Sequence, residues 1–150
     1  MKSILSVLCI FLIVAIAGCS KQPVDTPEVV PTKFPPPTWK ADNTGKYPAT
    51  MTAVVTLPVT LAGSVTENDK LAAFVNNECR GVGAIIKVNN QNLFFVLIQG
   101  LPEETNKITM RYYNNKTAYM YESTSGLTFL IDAVYGTAEN PKIVELSQLK

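Results

Sequence analysis

From Thr50 to Leu57 the side chains alternate, with Met51, Ala53, Val55 and Leu57 against Thr50, Thr52, Val54 and Thr56. Successive side chains of a strand point to opposite faces, so this period of two assigns one set to a core and the other away from it. Similar short runs recur near 59–65, 70–76, 79–88, 93–99, 107–113, 118–122, 127–131 and 142–146. Turn formers separate them: Asn76-Asn77, Asn89-Asn90-Gln91-Asn92, Asn114-Asn115 and Ser125-Gly126. No stretch carries a convincing 3.6-residue apolar stripe; only 143–149, through Ile143, Leu146 and Leu149, also fits a short helix. Eight or so short strands in about 100 residues, joined by hairpin-length turns, predict an all-β fold, an antiparallel β-sandwich of immunoglobulin-like or jelly-roll-like form.

The N-terminus reads differently. Lys2 supplies a positive charge, Ile4 to Ile16 an apolar run, and small residues lead to Cys19 in the sequence Ile16-Ala17-Gly18-Cys19. The run is shorter than the roughly 20 residues that span a bilayer. This arrangement resembles the lipobox of bacterial lipoproteins, which implies a signal peptide over 1–18. It also implies lipidation of Cys19 and a mature protein held firmly to a membrane by acyl chains.

Losing the leader removes Lys2, so the remaining basic residues balance the 12 acidic ones. No basic field is left to draw in nucleic acid, and nucleic-acid partners are not expected. Of three cysteines, Cys9 leaves with the leader and Cys19 would carry lipid. Cys79 then has no partner for an intramolecular disulfide and reads as a small buried hydrophobe. The chain has no histidine, which excludes Ser-His-Asp and Cys-His catalysis and histidine metal sites. No acid, base and nucleophile can be assembled from local signatures, so no enzyme, cofactor or metal is expected. Oxygen-rich loops at Glu67-Asn68-Asp69 and around Asp132, Glu139 and Asn140 lack calcium-loop spacing and read as turns.

Residues 19–38 read as anchor and tether, and 39–150 as the β domain. Seven of the ten prolines fall between Ser20 and Pro48. Such chains favour extended polyproline II at about 3.1 Å per residue. The Pro35-Pro36-Pro37 run reads as spacer, or as ligand for a proline-binding groove.

Leu93 to Ile98 is apolar on both alternations, and a sandwich strand normally buries one face. Phe34, Trp39 and Tyr47 are expected to cover its second face, with an external partner as the other option. In the tyrosine hairpin, a tip at Asn115-Lys116 sets Tyr112 opposite Tyr119 and Met110 opposite Tyr121. Tyr112, Tyr119 and Tyr121 then face the core, leaving Arg111 and Tyr113, with Trp39, as candidate contacts for a ligand or partner.

The segment Asp69-Lys-Leu-Ala-Ala-Phe-Val-Asn-Asn-Glu-Cys-Arg-Gly-Val-Gly83 predicts a hairpin turning at Asn76-Asn77, with a bulge or close approach at Gly81 and Gly83. Arg80 pairs with Asp69, Glu78 or Asp132, or presents its fork to a ligand carboxylate. This segment resembles one that recurs in secreted and surface modules of Bacteroidota. Met51-Thr52, Phe94-Phe95 and Gly136-Thr137-Ala138-Glu139-Asn140-Pro141 match further features of those modules. The resemblance covers about 39–146 and implies a β-sandwich accessory or binding domain.

Together these features predict a non-catalytic envelope lipoprotein, a tethered module that binds or scaffolds a protein partner. A carbohydrate-binding accessory module for polysaccharide capture is the alternative. Outer-membrane attachment is expected. Lys21, Gln22 and Pro23 stand before the first acidic residue, Asp25, so periplasmic and surface faces both remain open.

Overall fold

The computed structural model describes residues 30–150; Cys19 and the leader expected over 1–18 lie outside the described residues. The strands are β1 (Ala49–Thr56), β2 (Lys70–Val75), β3 (Glu78–Val82), β4 (Ala84–Val88), β5 (Gln91–Gly100), β6 (Thr109–Asn114), β7 (Tyr119–Ser123), β8 (Val134–Tyr135), β9 (Lys142–Ile143) and β10 (Leu146–Gln148). One helical turn, α1 (Val59–Ala62), follows β1. The first sheet runs β4-β5-β1-β8, with β9 also on β1; the second runs β10-β7-β6-β2-β3. β8 and β9 join β1 in parallel, and the other strand pairs are antiparallel. The fold is thus an all-β sandwich, with ten strands where about eight were expected, because three of them are only two or three residues long.

The period-two sets meet in the middle. Met51, Ala53, Val55, Phe94, Val96 and Ile98 of the first sheet pack against Leu71, Ala73, Val75, Met110 and Tyr112 of the second. Phe94 and Tyr112 bridge the sheets edge-to-face, their ring centroids 6.0 Å apart.

Four expectations about strands are corrected. Residues 59–65 do not form a strand. Pro58 has no N–H to extend a ladder, and its carbonyl accepts from Leu61 and Ala62, which starts α1 instead. Residues 79–88 are two strands in different sheets, β3 and β4, joined at Gly83. The corner is tight: a Cβ on Gly81 would come within 2.2 Å of the Leu97 carbonyl oxygen. The predicted bulge is present, since Ala73 pairs with Gly81 and Phe74 with Cys79, leaving Arg80 as the extra residue.

Residues 127–131 connect the sheets rather than joining either as a strand. Leu127 bridges Ile108 in the second sheet, and the Asp132 N–H bonds the Thr50 carbonyl of the first. Phe129 drives inward between these fixed ends, leaving Leu130 and Ile131 exposed. The run 142–146 divides for the same reason. The Val144 N–H bonds Thr56 in the first sheet, while the Glu145 carbonyl accepts from Thr124 beside the second. The helical option for 143–149 does not occur; β9 and β10 take its place.

Candidate functional site

The outer face of the second sheet is formed by Lys70, Ala72 and Phe74 of β2, Arg111 and Tyr113 of β6, and Met120 of β7, as their pairing shows. A strap, Phe34–Trp39, lies against it. Pro35, Pro36 and Pro37 have no N–H groups, so the middle of this segment cannot donate to a strand ladder. It is held by its carbonyls and its two aromatic ends. The Phe34 N–H donates to the Ala118 carbonyl (2.8 Å), and Lys70 Nζ to the Pro37 carbonyl (2.7 Å). Tyr113 Oη reaches the Phe34 carbonyl at 3.4 Å. Trp39 meets the Phe74 ring edge-on with centroids 5.4 Å apart, and the Arg111 guanidinium lies 4.7 Å from the same ring's centroid.

This arrangement corrects three expectations. Trp39 and Phe34 do act as internal cover, but over β2 and β6 rather than β5. Tyr113 is only 2% exposed, because the strap seals it in. Arg111 is half-buried, and its fork is already engaged by Glu122 (2.6 Å) and Asn77 (2.5 Å). The hairpin register also differs by two residues: a four-residue tip, Asn115–Ala118, sets Tyr112 opposite Tyr121 and Tyr113 opposite Met120. A shift of two preserves facing, so Tyr112 and Tyr121 still point inward.

Arg80 is buried, and its Nε and Nη1 have no hydrogen-bond partner among the described residues. Its side chain is 6% exposed, its Nη2 lies 3.3 Å from the Glu104 carboxylate, and its Nε lies 3.9 Å from Glu78. The guanidinium stacks on Tyr47, 3.4 Å from the ring centroid. Of the expected partners only Glu78 is present. Asp69 is engaged elsewhere, Asp132 is exposed and makes no ion pair with Arg80, and Glu104 was missed because its loop is remote in sequence. Asp69 is buried and ties three segments together. It accepts from Thr66, from the Asn115 N–H (3.0 Å) and from Tyr112 Oη. Burial, then the hydrogen bond and charge of Asp69, push the Tyr112 phenol far above its ordinary value. The distinctive Asp69–Gly83 segment is therefore a folding device: a loop tie, a hairpin, a bulge and a sheet-changing corner.

Among the described residues no strap lies along the outer face of the first sheet, although Leu93 and Val54 are buried there by their neighbours. Ile86 stands opposite Leu93, Phe95 lies between Ala84 and Val54, and Leu97 and Val134 flank Thr52. Leu97 is 56% exposed, Ile86 46% and Val134 64%. The outward positions of β1, β4 and β5, and Val134 of β8, carry Thr, Val, Ala, Ile, Gln, Leu and Phe, with no ionisable group.

A cleft of about 390 Å³ opens where the sheets diverge beside β9 and β10, with Met110, Leu127, Tyr135 and Val144 in its walls and Glu145 at its margin. Cys79 is half-buried, and burial raises its thiol above the ordinary value, which disfavours the nucleophilic thiolate. Among the described residues no group of three or more His, Cys, Asp or Glu side chains stands close enough to hold a metal ion. No protein-family model matches the chain, and neither a curated protein nor a solved structure matches it.

Proposed function

We propose that this chain is a lipid-anchored, non-catalytic module of a bacterial cell envelope, held by Cys19 and binding a protein partner through the outer face of its first sheet. One observation carries the reading: Ile86, Leu97 and Val134 stand exposed on an uncharged face beside half-buried Phe95, whereas the described chain covers the opposite face of the same domain. Contiguous exposed apolar surface of this kind marks an interaction site, and depletion of charge with enrichment of large apolar side chains is the signature of an interface core. The leader pattern ending at Cys19 supports the anchor. The carbohydrate-binding alternative relied on Trp39 and Tyr113, and Tyr113 is sealed while Trp39 rests on Phe74, so it has no aromatic platform there.

A photoreactive amino acid at position 97, in cells of the source bacterium, tests the reading. Crosslinking to a discrete envelope protein is expected at 97 and not at 111, and Cys19→Ser should release the protein from the membrane fraction. Equal, diffuse crosslinking from both positions would contradict the partner assignment.

A further inference from the structure

We infer that the groove on the second sheet is an exchangeable binding site, able to take the Phe34–Trp39 strap of a second copy of this chain in place of its own. The groove has the make-up of a polyproline-recognition surface: Tyr113 and Phe74 as aromatic walls, Lys70 offering an ammonium to a proline carbonyl, and the Ala118 carbonyl accepting the one N–H before the proline run. Every contact that seats the strap is local to residues 34–39. None depends on which chain supplies the segment, because each is made to Lys70, Phe74, Tyr113 or Ala118 and not to the turn that follows the strap.

The connection from strap to β1 suits exchange. Residues 42–46 form a turn closed on itself, in which Asp42 accepts from Thr44 and from the Lys46 N–H (3.1 Å). Gly45, at φ +85°, has open space around it, with nothing within 4 Å of where a Cβ would sit. Asn43, Thr44 and Gly45 of this turn are exposed, and among the described residues its one tie to the sandwich is the exposed Lys46–Glu78 ion pair (2.8 Å). Docking resumes at Tyr47, which is buried beneath Arg80 and bonded to Glu78. The hinge therefore lies between Lys40 and Lys46, with a fixed point on either side. Exchange of an identical element between copies is a low-cost route to dimers, because the swapped contacts are the ones already made within one chain. Concentration then decides between the two forms, through the effective concentration of the attached strap.

The test cuts the hinge and leaves strap and groove intact. A specific protease site is inserted after Asn43 in the exposed turn, and the otherwise complete protein is cleaved. Trp39 is the only tryptophan, so its emission reports the strap alone. The expected result has three parts. Trp39 emission stays blue-shifted after cleavage at high protein concentration. It moves to the red on dilution. A synthetic peptide of residues 30–43 carrying an N-terminal fluorophore then binds the diluted protein with a rise in its anisotropy. The intact protein should form a dimer at high concentration that the same peptide dissolves. Solvent-like Trp39 emission directly after cleavage, with the far-UV β signal unchanged, would show that the groove does not hold the strap in trans and would overturn the inference. Loss of the β signal on cleavage would overturn it too, since the strap would then be part of the fold and not an exchangeable element.

Discussion

The two outer faces of this sandwich face the same water and are built in opposite ways. On the second sheet, Phe74 and Tyr113 lie under the Phe34–Trp39 strap, and the side chains beside them, Lys70, Arg111 and Glu122, are charged and paired. On the first sheet no described segment straps Leu97, and the outward neighbours of Leu97 and half-buried Phe95 carry no charge. The described chain lays a segment over one apolar face and leaves Ile86, Leu97 and Val134 of the other exposed, and the proposed association is assigned to the exposed one.

That contrast predicts unequal costs. Tyr113→Ala removes a sealed aromatic from beneath the strap and should destabilise the domain by about 3–5 kcal/mol, as large aromatic truncations do. Chemical denaturation measures it, and a cost below about 1 kcal/mol, the range of ordinary surface positions, would break the distinction. Leu97→Lys, on the open face, should change stability by no more than about 0.5 kcal/mol while abolishing partner crosslinking from a neighbouring position such as Ile86. A large loss of stability there would mean that Leu97 is packed after all.

The smallest effect is with acid. Lys46, and then Tyr47, hold the Glu78 carboxyl below its ordinary value of 4.5, and the Thr44 hydroxyl does the same for Asp42 relative to 3.8. Both groups have lower pKa values folded than unfolded. Their contribution is therefore complete above the unfolded values and fades as pH falls through the folded ones. Acidification below about pH 4.5 should loosen the segment behind the strap and shift Trp39 emission slightly, while the first-sheet face, which has nothing to titrate, stays unchanged. Both carboxylates are exposed, so salt should weaken the effect.

Periodicity made the sandwich legible, and facing survived even where register did not, because the hairpin error was a shift of two. The misread segments are those whose fate depends on a second sheet. Residues 79–88 and 127–131 have continuous strand character but cross between layers, and no local pattern encodes a crossing. The strap's destination was half legible. β5 was singled out as apolar on both alternations, yet β2 has the same property: Ala72 and Phe74 alternate with Leu71, Ala73 and Val75. Weighing both strands equally would have raised β2 as a second candidate for cover. Sequence alone had no means of choosing between them, since the choice rests on Lys70 and Ala118 standing where Pro37 and Phe34 pass. Glu104 as the partner of Arg80 was likewise out of reach, because a loop more than twenty residues away delivers it.

The most direct test of an open first-sheet face beside a sealed second-sheet face is the broadening of methyl NMR signals by a soluble gadolinium chelate in the isolated protein. The account predicts strong broadening of the Leu97, Ile86 and Val134 methyls, and protection of the buried Met120 methyl, whose residue pairs with Tyr113 on the second sheet. Equal protection of Leu97 and Met120 would show that both faces are covered and would contradict it.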